Sequence, residues 1–221
     1  MILNKRLLAI ANKISDGSFV LDVGCDHALL GIYLKLKRNN IMVIGSDIHE
    51  GPIEKAKQNL KKYHLENEIE LKIADGLDSC DKNIDTIVIS GMGEETITEI
   101  CTKGKEKLAN IKNLILSPNN NFYELRKNIT KLGFEIKDEE LIKEKEKYYL
   151  IAHFIKGNKK YSEKKLFFGP ILLKEKNELF LSYYEELYKK QKEILKSIPK
   201  EQKEKIKEIE RYLRKINSYK N

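Results

Sequence analysis

Over its first 155 residues the chain alternates short β-branched runs with longer stretches of helical period, and that alternation leaves few folds open. Parallel strands cannot be joined by tight turns, so each needs a crossover, usually a helix. The runs predict strands over 19–23, 42–46, 69–73, 86–90, 113–117, 134–141 and 148–155. The intervening periods predict helices over 29–37, 52–64, 94–107 and 122–132, and an amphipathic segment over 4–14 precedes the first strand. Pro52 suits a first helical turn. The early strands are apolar almost throughout, as in Ile87-Val88-Ile89, which calls for cover on both faces of the sheet. Only the charged stretch 143–147 separates the last two strands, so they are read as an antiparallel hairpin at one sheet edge.

Past Gly157-Asn158-Lys159-Lys160 the composition changes. Phe180, Tyr184, Leu187, Gln191, Ile194 and Ile198 step by four and three, as do Ile206, Ile209, Leu213 and Ile216. Those are heptad seams, and Pro199 between them can begin the second helix but not lie inside the first. An antiparallel helical hairpin with a coiled-coil seam is expected, its apolar stripe packing rather than stacking on bases. Residues 1–157 are read as one domain and 158–221 as a helical extension. Charge follows the same division. Residues 1–155 carry 23 Lys+Arg and 24 Asp+Glu, net −1, whereas 156–221 carry 19 and 10, net +9. Clustered positive charge of this kind suits a polyanion partner, and equally a lysine-rich bias of every solvated face; charge alone does not choose between them.

Three cysteines, Cys25, Cys80 and Cys101, lack both an even count and metal-ligand spacing, so neither a disulfide framework nor a metal is expected. No apolar run reaches bilayer length, and the N-terminus lacks the order of a signal peptide. A monomer in the cytoplasm, without membrane contact, is the expectation.

In open α/β sheets ligands bind beyond the carboxyl ends of the strands. Strand one ends in Leu21-Asp22-Val23-Gly24-Cys25-Asp26-His27-Ala28. A dinucleotide fingerprint would place a glycine two residues after Gly24; here Asp26 stands there, an anion that would repel a pyrophosphate. The loop therefore favours a cofactor without phosphates and with a cationic group, and S-adenosylmethionine fits. Asp47, which ends strand two and lies 23 residues beyond Gly24, is placed for the ribose hydroxyls, with Ile48 against the adenine. Asp75 and Gly76, after strand three, offer a carboxylate to the adenine amino group and a backbone amide to a ring nitrogen. Gly91, Met92 and Gly93, after strand four, open the floor between cofactor and substrate. Four such loops on successive strands read as a Rossmann-like class I methyltransferase.

What the fourth loop lacks disfavours two kinds of acceptor. Methylation at C5 of a pyrimidine needs a cysteine there, and exocyclic amines commonly use an Asn/Asp-Pro-Pro-aromatic motif. Neither is present. An unpaired ring nitrogen such as adenine N1 already presents a lone pair and needs positioning more than deprotonation.

Asp22-Val23-Gly24-Cys25-Asp26-His27-Ala28, Ser90-Gly91-Met92-Gly93, Leu116-Ser117-Pro118-Asn119 and Phe168-Gly169-Pro170 together resemble the bacterial tRNA (adenine-22-N1)-methyltransferase family, in order and over nearly the whole chain. The resemblance implies methylation of N1 of an adenine in the D-arm of tRNA. It implies that Asp22, Gly24, Asp47, Asp75, Gly76 and Gly91 line the cofactor pocket, and that Asp26, His27, Met92 and Asn119 face the target base. It also implies that the hairpin helps to hold tRNA. Where the family usually has a second glycine after Gly-Met-Gly, this chain has Glu94. Asp26 has a competing use as an N-cap for the helix that follows it. Lys5, Arg6 and Arg126 are expected phosphate contacts, with Lys189 and Lys192 on the polar face of the hairpin. Two other readings stay open: a class I methyltransferase for another RNA or a small molecule, and a non-catalytic tRNA-binding protein.

Overall fold

Asn4 opens helix α1 (Lys5–Lys13) by accepting the Leu7 amide on its side-chain oxygen at 2.8 Å. The computed structural model describes residues 1–38 and 40–220. Beyond α1 the chain alternates as its pattern predicts: β1 (Phe19–Val23), α2 (Leu29–Lys37), β2 (Met42–Asp47), α3 (Glu50–Lys62), β3 (Ile69–Ile73), β4 (Thr86–Ser90), α4 (Glu94–Lys103), β5 (Asn113–Ser117), α5 (Phe122–Lys131), β6 (Phe134–Glu144) and β7 (Lys147–Lys156). The seven strands form one sheet in the order β3-β2-β1-β4-β5-β7-β6. The first five run parallel, and β7 is antiparallel to both β5 and β6. The strand order reverses between β1 and β4, so the crevice for a ligand opens there.

Successive residues of the central strands feed opposite faces. Val20, Val88 and Ile115 join a cluster with α1, α2 and α3, while Leu21, Ile87, Ile89, Leu114 and Leu116 join one with α4 and α5. Four boundaries differ from expectation. Helix α3 starts at Glu50, which puts Pro52 within its first turn but not at its first position. Helix α4 ends at Lys103 and is followed by a 3-10 turn over Lys107–Asn110. The edge strands β6 and β7 reach Glu144 and Lys147, because charged residues are tolerated where one face meets water. Pro199 lies in the inter-helix turn, where its carbonyl accepts the Gln202 amide, and does not begin the last helix.

After β7 come two short helices that the sequence pattern did not show, α6 (Glu163–Phe168) and α7 (Pro170–Glu175), then α8 (Glu178–Ser197) and α9 (Lys203–Asn217). The last two are antiparallel: Lys176 Nζ, just before α8, reaches the carbonyl of Tyr219, just after α9, at 2.7 Å. Their inner ends join the core. Phe168, Phe180, Tyr184, Ile216 and Tyr219 belong to the same buried cluster as β4, β5 and α5. Outward along the hairpin the expected seam opens, and Ile194 is exposed.

Arg126 was expected at a tRNA phosphate, and its burial corrects that reading: it is 1% exposed. Its guanidinium pairs with Glu139 on β6 and donates to the last carbonyls of α6, those of Leu166 and Phe167, at 3.2 and 3.3 Å. The other Glu139 oxygen accepts the Ile171 amide. Gly169, at φ +85°, passes directly over the pair; a Cβ there would lie 2.5 Å from Glu139 and 2.7 Å from Arg126. No helix among the described residues is long and apolar enough to cross a membrane.

Candidate active site

The loops at the sheet's carboxyl edge are stitched to one another through backbone. Gly24 and Cys25 amides donate to the Ser46 carbonyl, Ala74 to Asp47, Gly91 to Ser117 and Asn119 to Met92, at 2.8 to 3.1 Å. Gly24 sits at φ +70°, the left-handed region that favours glycine, and a Cβ there would displace the Met92 methyl where the first and fourth loops meet. Asp26 and Ala28 also take positive φ, at +49° and +55°. Such backbone in non-glycine residues is held by its surroundings.

A cavity of about 370 Å³ lies at this reversal point. Six of the eight residues expected at the cofactor line it: Gly24, Asp47, Ile48, Asp75, Gly76 and Met92. Asp22 and Gly91 do not. Asp22 shares the sheet face of Val20, one residue out of phase with Leu21 and Val23, and so is buried beneath the loop rather than beside the cavity. Burial pushes its carboxyl up to about 7. Gly91 faces the Arg6 guanidinium. Reading strand ends alone missed the far wall, where Thr96, Ile100 and Lys103 line the cavity from α4. Their i, i+4, i+7 spacing is the signal that places them on one helix face.

The donor set suits a nucleoside carrying a cation and no phosphates. Asp47 and Asp75 have no ion-pair partner among the described residues, whereas the cavity's lysines are already paired, Lys103 with Glu99 at 2.6 Å and Lys107 with Asp78 at 2.8 Å. A pyrophosphate would meet acids without free bases. Ile48 and Ile100 supply apolar walls for a planar ring. Cys25 is buried, and desolvation, reinforced by the nearby Asp22, Asp47 and Asp26, raises its thiol far above the ordinary range, which makes it a packing residue.

The residues expected to face the base form two separate pairs. Asp26 and His27 are 3.4 Å apart, on the solvent side of the first loop. Asp26 is not an N-cap: Ala28 occupies the cap of α2, with no side-chain bond. Asn119 donates from Nδ2 to the Gly91 carbonyl at 2.6 Å and accepts at Oδ1 from Arg6 at 3.5 Å; Arg6 also stacks on Tyr149. Glu94 is buried, its carboxylate taken up by Thr98 and Asn128, at 2.6 and 3.0 Å. It serves α4, whose first amide is capped by the Asn120 side-chain oxygen. Lys5, Lys189 and Lys192 are exposed.

The sequence model of the tRNA (adenine(22)-N(1))-methyltransferase family matches residues 20–218. The chain belongs to this family. It is 32% identical to the tRNA (adenine(22)-N(1))-methyltransferase of Bacillus subtilis, over 94% of this chain and 92% of that one. Among solved structures of this methyltransferase type, Streptococcus pneumoniae Sp1610 in complex with S-adenosyl-L-methionine superposes with a TM-score of 0.91 at 32% identity, covering 99% of each chain. M. capricolum TrmK in complex with S-adenosyl-homocysteine gives 0.88 at 30%, covering 99% of this chain and 98% of that one. The family's Rossmann-like sheet and its C-terminal helices are both within the matched length.

Proposed function

We infer that this tRNA (adenine(22)-N(1))-methyltransferase transfers a methyl group from S-adenosylmethionine to N1 of adenine 22 in the D-arm of tRNA. The observation that carries this reading most is the acid-lined, phosphate-excluding cavity at the β1/β4 reversal, in a chain whose family match runs from residue 20 to 218. The protein acts as a monomer and in the cytoplasm, where its substrate is made.

When bound, S-adenosylmethionine supplies an electrophilic methyl. Asp47 accepts from the ribose hydroxyls, Asp75 and the Gly76 amide read the adenine edge, and Ile48 covers its face. Gly24 and Met92 form the floor that separates the two ligands. Asn119, its amide held between Gly91 and Arg6, orients the target base. The N1 lone pair is the nucleophile, so no general base is required; alignment does most of the work. Asp26, with His27 beside it, eases the positive charge that develops on the methylated ring.

Purified protein incubated with methyl-labelled cofactor and unmodified tRNA is expected to yield 1-methyladenosine at position 22, read by nucleoside mass spectrometry and position mapping. Label on an exocyclic amine, on protein, or nowhere at all would overturn the assignment.

A further inference from the structure

We propose that the groove between the Asn119 loop and the C-terminal hairpin binds an unstacked nucleotide adjoining the target adenine, as a second base subsite. The proposal rests on tRNA being the substrate and names where a neighbouring base goes once the target is turned out.

The groove encloses about 850 Å³ and starts at Asn119, the residue assigned above to orient the target base. Asn119 and Asn120 form its near end, and the same two residues bond to Gly91 and to the first amide of α4. Its walls carry five partly exposed rings, Phe122, Tyr123, Tyr148, Tyr183 and Tyr212. Phe122 and Tyr183 stack with centroids 5.7 Å apart at 28°, Tyr148 meets Tyr183 edge-on at 5.1 Å, and Tyr212 lies across from them. These rings rest on the core with their inner sides, over the buried Phe180 and Tyr184, and are partly exposed on the groove side. Exposed faces around an open volume, continuous with a site that handles a flipped base, are what sequence-tolerant stacking needs.

The rim carries charge of both signs. Glu186 is held by Lys143 at 2.8 Å and the Tyr148 hydroxyl at 2.7 Å, while Glu124 and Glu146 lie 3.9 and 4.0 Å from Lys127 and Lys143. Lys147 and Lys190, on the same rim, have no acidic partner among the described residues. Two unpaired cations flanking aromatic faces match a phosphate-linked base, with the rings taking the base and the ammonium groups its phosphates.

The test uses the full chain and whole tRNA. Two variants are compared with wild type: Tyr148→Leu/Tyr183→Leu, which removes stacking faces, and Lys147→Gln/Lys190→Gln, whose side chains are exposed and whose fold is not at risk. Each is expected to raise KM for tRNA about tenfold, as loss of a stacked base does, while kcat and cofactor affinity hold. Tyr183→Phe, which keeps the ring, is expected to behave as wild type. A photoreactive 5-iodouridine placed beside the target adenine is expected to crosslink to Tyr148 or Tyr183. With wild type active, an unmoved KM in the lysine variant or crosslinks confined to other residues would overturn the groove alone. A wild type inactive on tRNA would overturn both the groove and the function it rests on.

Discussion

At the scale of single residues, Asp22 shows how a strand-end acid is divided between fold and site. Its carboxyl is buried, and its value near 7 means that the folded protein holds a proton there that the unfolded chain, near the ordinary 3.9, has already released. The native state therefore binds more protons between about pH 4 and pH 7, and stability falls as pH rises through that window, by about 1.4 kcal/mol for each pH unit crossed. Asp22→Asn is expected to match the native protein in thermal midpoint near pH 4 and exceed it above pH 7; parallel midpoints across that range would refute this. The acids at the ends of β1, β2 and β3 could be read because each closes an apolar run. Which of them faces the cavity depends on strand phase, and phase was legible too: Asp22 alternates with the apolar pair Leu21 and Val23. Arg126 was not legible. Nothing near it in the chain marks it as buried, since Glu139 lies 13 residues away in a strand crowded with charge.

At the scale of elements, that same pair ties α6 and α7 to β6. Removing one partner leaves a charge stranded in a dry interior, a far larger penalty than the pair's own contribution. Arg126→Met is expected to cost about 3–5 kcal/mol by urea unfolding, whereas Arg126→Met/Glu139→Leu recovers most of that loss. A double variant no better than the single would show that the two side chains do not depend on each other. Four of the five parallel strands were plain in the sequence because buried parallel strands are apolar on both faces, and the edge strand β3 showed instead as an alternation of Ile69, Leu71 and Ile73 with Glu70 and Lys72. Helices α6 and α7 were not, because six residues are too few to display a helical period. The hairpin seam was legible in register but not in depth: the pattern marks Phe180 and Ile194 alike, although the first is buried in the core and the second is exposed.

At the scale of the whole molecule, the sheet domain is nearly neutral and the final third carries the net charge of +9. Affinity for tRNA is expected to fall steeply and linearly with log salt, with a slope reporting several released counterions. Filter-binding or anisotropy titrations at rising salt would measure it, and a flat profile would remove the hairpin as a phosphate contact. The helices that carry this charge also cover the β6 edge of the sheet and α5, through Phe168, Phe180, Ile216 and Tyr219. During translation, that cover waits on helices that follow every strand in the chain. Strand β6 and helix α5 keep an apolar flank bare until Tyr219 has cleared the ribosome, so the nascent chain is vulnerable to aggregation in that interval.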